Sequence, residues 1–236
     1  MIDMEDEMVS MHVREVLDWI ADRDAEDEFS LLCHLFGDHH DLERANWMLA
    51  RALMPGADFK ALEVKVNAWG RQFLLKSSGA ISSRERVLQL ASFMSEELGF
   101  RGNTDDYYSE RNCLLPAVIE TRMGIPITLT LLYMMVAARA GMCVEGINLP
   151  GHFIARHGEL YFDPFHRGRI LTKTDCMAIM AKQNLSLQKS HLADATARQI
   201  LVRVLANLLY VYDLQQDRES HARVNAWIRA LTAETF

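Results

Sequence analysis

A chain of 236 residues, half of them apolar and 24% charged, has enough material for one sizeable core or two small domains. Its net charge of -7 excludes non-specific binding to nucleic acid, whose phosphates need a basic face, and no run of Lys and Arg with interleaved aromatics offers one. The acidic opening Met1-Ile2-Asp3-Met4-Glu5-Asp6-Glu7 is unlike a secretory signal, the longest apolar run (Ile125 to Ala138) is too short to span a bilayer, and four scattered cysteines form no CxxC pair, so a cytoplasmic protein with reduced thiols is expected.

The chain from about residue 8 to 98 reads as helical throughout. Val9, Val13, Val16, Leu17 and Ile20 recur at helical spacing, as do Leu42, Ala45, Leu49, Ala52 and Leu53. Pro55-Gly56 breaks the pattern, and Phe59, Leu62, Val66, Trp69 and Phe73 begin another amphipathic helix. After the loop Ser77-Ser78-Gly79, Ser82 and Glu85 have capping-box spacing for a helix that runs to Leu98 and stops at Gly99. Cys33-His34 and Asp38-His39-His40-Asp41 have the composition of metal ligands. They lack the spacing of two His on one helix face or of a cysteine knuckle, so a solvated inter-helix turn is expected there, with no metal and no cofactor. No Pro/Gly/Ser-rich linker follows, so these helices should pack on the rest.

The middle of the chain changes character. Leu114 to Thr121 reads as a helix starting near Pro116. Gly124-Ile125-Pro126 then introduces a nearly all-apolar helix up to Arg139, with Pro126 in its first turn and Gly141 as its cap. Cys143 to Leu149 is β-prone, and Cys143 reads as a packing residue in a buried strand. Residues 151 to 164 are two short β-prone runs around His157-Gly158, which predicts a two-residue hairpin turn at that pair. With that turn, Arg156 faces Glu159, Ala155 faces Leu160, Phe153 faces Phe162 and His152 faces Asp163. Phe153, Ala155, Leu160 and Phe162 then share an apolar face, while His152 and Asp163 lie on the other. Directly opposed Cβ atoms are roughly 5 Å apart, close enough for the carboxylate to orient the imidazole. A carboxylate-oriented His is the base half of a nucleophile-base-orienter triad.

Beyond Arg169-Ile170-Leu171 and Ser186 the chain is helical again. Ile200, Val204, Leu205, Leu208, Leu209 and Tyr212 make one amphipathic helix, and Val224, Trp227, Ile228 and Leu231 a second, joined by the polar turn Gln215-Gln216-Asp217-Arg218. The pair resembles one tetratricopeptide unit, which must dock on a neighbour to bury its face.

Four strings occur in order: Arg111-Asn112-Cys113-Leu114-Leu115, Thr121-Arg122-Met123-Gly124-Ile125-Pro126-Ile127-Thr128-Leu129, Asn148-Leu149-Pro150-Gly151-His152-Phe153 and Phe162-Asp163-Pro164-Phe165. Together they resemble the bacterial transglutaminase-like proteins of the "core 2" group, over roughly residues 105 to 172. The resemblance implies an α+β fold of papain and transglutaminase type: a central helix packed on a small antiparallel sheet, with N-terminal helices and a C-terminal tetratricopeptide-like pair. It divides the chain into 1–104, an N-terminal helical region packed on the core, 105–185, the transglutaminase-like core, and 186–236, the helix pair. In that family the sheet supplies a His and an Asp to a Cys at the start of the central helix. The His and Asp correspond to His152 and Asp163. The Cys has no counterpart, because Ile125 to Thr128 contains no cysteine, and Thr128 is the only hydroxyl there.

Two functions follow as expectations. One is a non-catalytic descendant that uses the His/Asp groove to bind a protein or peptide in a regulatory role, with Asn112, Tyr108 and Thr128 as binding residues. The other is an acyl-transfer or amide-hydrolysing enzyme with His152 as base, Asp163 as orienter and Cys113 or Thr128 as nucleophile. Cys113 reads more readily as a packing or helix-cap residue, yet it is the one cysteine inside the family strings.

Overall fold

A computed structural model describes residues 23–233; the helix expected around Val9 to Ile20 lies outside the described residues. Helix α1 (residues 23–35), α2 (Leu42–Leu53), α3 (Phe59–Ser77) and α4 (Ser83–Ser92) follow one another at the N-terminal side. The starts of α2, α3 and α4 are set by side-chain caps: Asp41 accepts from Arg44 N, Asp58 from Ala61 N and Ser82 from Glu85 N. The Glu85 carboxylate accepts from Ile81 N (3.0 Å), one residue before the partner that a capping box would use. The helix expected to run to Leu98 changes winding: Phe93–Glu97 is a π turn that buries Phe93 and Met94, and Gly99 follows with φ 79°. The inter-helix turn around His39 and His40 is as expected, with His40 Nδ1 accepting from Gly37 N at 2.7 Å.

The centre is α6 (Pro126–Arg139), preceded by α5 (Leu115–Thr121). A helix apolar on nearly every side has little solvent face to present, and α6 is buried from Pro126 to Tyr133 and again at Met135, Val136 and Ala137, with Ala138 exposed near its end. It packs against α3, the sheet and α8 (Ala197–Gln215). A parallel pair of two-residue strands, β1 (Arg101–Gly102) and β2 (Met123–Gly124), ties the N-terminal helices to its start.

Four antiparallel strands, β3 (Glu145–Ile147), β4 (Ile154–His157), β5 (Leu160–Asp163) and β6 (Arg169–Leu171), form a sheet in chain order. Its two faces go to different cores. Ala155 and Phe162 meet Leu129, Leu132, Tyr133 and Val136 of α6, whereas Ile147, Ile154 and Leu171 meet Cys176 and Met180 of α7 (Lys173–Ala181). A third cluster joins α1 and α2 to α8 and α9 (Arg218–Thr232), so the C-terminal helix pair docks on the rest of the chain. The arrangement is mixed helix and sheet, and no helix among the described residues is long and apolar enough to cross a membrane.

Two expectations are corrected. The hairpin turns at Gly158-Glu159, one residue later than expected, and the ladder pairs His157 with Leu160, Arg156 with Tyr161 and Ala155 with Phe162. Gly158 has φ 57° and Glu159 is not left-handed, so the glycine takes the first central position, as in a type II′ turn. The strands slide by two residues relative to the expected pairing. Since side chains alternate with period two, every residue keeps its face. Cys143, expected in a buried strand, is exposed in the turn before β3, where its thiol donates to Glu145 Oε1 (3.0 Å).

Candidate functional site

Asp163 ends β5 and caps the short 3-10 turn Pro164–His166. Pro164 has no N–H to satisfy, so the carboxylate Oδ1 accepts from the next two amides, Phe165 N (3.0 Å) and His166 N (3.3 Å). Oδ2 remains, and two imidazoles share it: His152 Nε2 at 2.8 Å and His166 Nδ1 at 2.7 Å. Asp163 is 2% exposed. Burial pushes its pKa up, but the hydrogen bonds and charges of His152 and His166 outweigh that and hold it well below the usual carboxylate range. Ionised, the carboxylate can only accept, so both rings donate to it. His152 therefore carries its proton on Nε2, and its Nδ1 is the basic nitrogen, with no hydrogen-bond partner among the described residues.

His152 reaches Asp163 from outside the ladder. The observed register places Ile154, not His152, across from Asp163. The loop Leu149-Pro150-Gly151-His152, pinned by His152 N donating to Leu149 O (3.0 Å), delivers the ring diagonally. Phe165 stands edge-on to it, ring centroids 6.1 Å apart, and packs over Gly102, where a Cβ would come within 2.6 Å of the Phe165 ring. His166 was not singled out from the sequence. The available signal was Asp163-Pro164-Phe165-His166, since a 3-10 turn brings residue i+3 back over residue i. Its hydrogen bond to Asp163 raises the His166 pKa, against desolvation. Tyr133 of α6, buried beneath with no partner for its hydroxyl, is raised by desolvation and by the Asp163 charge.

His152, Asp163 and His166 each offer one ligand atom, all within 4.8 Å of one another, the set among the described residues that could hold a divalent ion. In the structure each imidazole is hydrogen-bonded to Asp163 Oδ2. Cys33, His34 and the residues from Asp38 to Asp41 do not gather into such a set.

The other expected site residues are placed differently. Cys113 is 3% exposed in the core shared by α1, α2 and α8, and burial with the Glu110 charge pushes its thiol up to about 12. It makes no hydrogen bond to His152 among the described residues. The Thr128 hydroxyl donates to Asn112 O (2.6 Å) and also lies 3.2 Å from Ile125 O. Asn112 is a buried brace: its Nδ2 donates to Asp106 O and Tyr107 O, and its Oδ1 accepts from Asn103 Nδ2. Tyr108 is 54% exposed and packs on Tyr107 and Tyr210. The residues that share a crevice with His152 are instead Tyr107, the Ile125-Pro126-Ile127 start of α6, Gly151, Phe153, Arg203 and Asn207. The crevice is narrow, about 10 Å³, or roughly one water. Arg203 and Asn207 lie four residues apart on one face of α8, so the C-terminal helix pair contributes a wall of the site.

Comparison with known proteins finds a family match whose span includes this region. The chain matches the model of the transglutaminase-like superfamily over residues 60–206. It is 36% identical to a UPF0162 protein of Xylella fastidiosa over 149 residues, 58% of this chain and 50% of that protein. A UPF0162 protein of Pseudomonas aeruginosa is 32% identical over 171 residues, 70% of this chain and 62% of that one. F-box only protein 21 of Mus musculus is 29% identical over 142 residues, 55% of this chain and 22% of that protein. The chain thus spans about half the length of the bacterial relatives it matches. No solved structure gives a significant match. With a match that covers more than half its length, and with the His152–Asp163 pair inside it, the chain belongs to the transglutaminase-like superfamily.

Proposed function

We propose that the protein is a transglutaminase-like protein without thiol chemistry, and that its His152 crevice binds a protein or peptide segment in a regulatory role in the cytoplasm. The observation that carries this reading is what stands beside His152. The start of α6 there is Ile125-Pro126-Ile127, side chains with neither thiol nor hydroxyl. Cys113 is buried, and a thiol pushed up to about 12 is not a thiolate at neutral pH. Thr128 spends its hydroxyl on backbone carbonyls. Without an activated nucleophile the pair His152–Asp163 lacks the group whose proton it would take. The 105–185 region serves as the binding core, and the helix pair of 186–236, read as tetratricopeptide-like, adds recognition surface.

Acyl transfer is the second reading. The geometry that favours it is the 2.8 Å His152–Asp163 hydrogen bond with Nδ1 left free, which is what a base and its orienter require.

Labelling with a small alkylating agent and an amine-incorporation assay separate the two. On the binding reading the exposed Cys143 alkylates first in the native protein. Cys33, Cys113 and Cys176 then react only on denaturation, and no amine is incorporated into a glutamine substrate. Peptides selected from a display library on the native protein should lose binding when Asn207→Trp fills the crevice. Preferential labelling of Cys113 that depends on His152 and Asp163, or amine incorporation abolished by His152→Ala, would overturn it.

A further inference from the structure

Arg203 is the one Lys or Arg that lines the His152 crevice, and among the described residues it makes no ion pair and no side-chain hydrogen bond. It is half-buried, and desolvation lowers its pKa, so the surroundings work against its charge. The other half-buried arginines among the described residues are all engaged. Arg139, Arg156, Arg198 and Arg223 pair with Glu43, Asp194, Asp38 and Glu26, Arg86 donates to Ala140 O, and Arg122 lies over Trp69 and Phe100. A half-buried guanidinium without a counter-charge among the described residues leaves its N–H donors to solvent or to a ligand from outside the chain.

We propose that Arg203 and Asn207 form an anion subsite of the His152 crevice that takes a carboxylate of the bound ligand. This rests on the binding reading above only for the rest of the ligand. Several features point to a carboxylate. A guanidinium matches its two oxygens with two parallel N–H donors. The subsite holds a single cation, which balances a monoanion, whereas a phosphate near −2 would leave excess negative charge close to Asp163. Asn207 Nδ2 spends one N–H on Arg203 O (2.7 Å), which fixes the amide one turn along the same face and leaves its other N–H free to donate. The phenol of Tyr107, whose pKa burial raises, remains a protonated donor in the same crevice. The uncapped start of α6 lines the same space and adds positive potential of the same sign.

The test uses the full chain with arginine side chains labelled by ¹⁵N. Arg203 Nε–H is followed during titration with N-acetylglycine, N-acetylglycinamide and inorganic phosphate. The expected result is a saturable shift of Arg203 with the acid and none with the amide. Arg203→Gln should weaken acid binding by at least about tenfold and Asn207→Ala by less, with Arg203→Lys intermediate. No saturable shift with the acid, an equal response to the amide, or a stronger response to phosphate would overturn the proposal. The acid–amide comparison on the unsubstituted chain decides it even if Arg203→Gln fails to fold. Peptides that bind the crevice yet are indifferent to Arg203 sink the subsite and leave the binding reading. Acid binding at Arg203 with no peptide captured sinks the binding reading and leaves the subsite.

Discussion

Asp163 holds two imidazoles through one oxygen at nearly equal distances, 2.8 Å to His152 and 2.7 Å to His166, so distance alone predicts equal energies. Exposure predicts otherwise. The His152 side chain is 12% exposed and that of His166 is 63% exposed, while Asp163 is buried in both pairs. Water can replace Asp163 at His166 but has little access at His152. A hydrogen bond to a buried charged group contributes about 1.5–3 kcal/mol, and a solvent-exposed ion pair about 0.2–1 kcal/mol. Double-mutant cycles built from His152→Ala, His166→Ala and Asp163→Ala should therefore give a His152–Asp163 coupling of about 1.5–3 kcal/mol and a His166–Asp163 coupling below about 1 kcal/mol. Urea denaturation at neutral pH, with midpoints and slopes fitted for all four corners of each cycle, measures both. Raising the salt concentration should erode only the His166 value. A His166 coupling equal to or larger than that of His152 would refute the premise that burial, not distance, ranks these two bonds.

Three further outcomes follow from the same geometry. The lowered pKa of Asp163 makes its contribution to stability present above the ordinary carboxyl value near 3.9 and lost as pH falls through the lower folded value, so Asp163→Asn should flatten the acid limb of the urea midpoint against pH. The raised pKa of His166 works in the opposite sense: its contribution is present below the ordinary value near 6.5 and lost as pH rises through the higher folded value, so His166→Gln should flatten the slope above that pH. Gly102→Ala drives a Cβ to within 2.6 Å of the Phe165 ring. It should cost about 1–3 kcal/mol in thermal or urea unfolding. An unchanged midpoint would show that Phe165 is free to move away from His152.

Much of this protein follows from its amino-acid order alone, because the interactions concerned are local or periodic. Ser82 and Asp41 cap helices within three residues of themselves. The apolar stretch from Ile125 to Ala138, interrupted only by Thr128 and Thr130, leaves little solvent face, so it becomes the largely buried central helix. Alternation in the hairpin assigns Ala155 and Phe162 to one core and Asp163 to the opposite face, and that assignment survives a two-residue slide of the strands. Tertiary structure decided what depends on distance through space. The turn settled on Gly158-Glu159 because the whole sheet, including the pairing of β4 with β3, shares one register. Cys143 is exposed because β3 begins two residues after it. Arg203 and Asn207 come from a helix fifty residues beyond His152, and nothing in their local pattern distinguishes them from other polar positions on that helix. Only the docking of α8 against the start of α6 brings the Arg203 cation into the crevice of the imidazole, since apolar burial drives that contact and the charge is carried along with it.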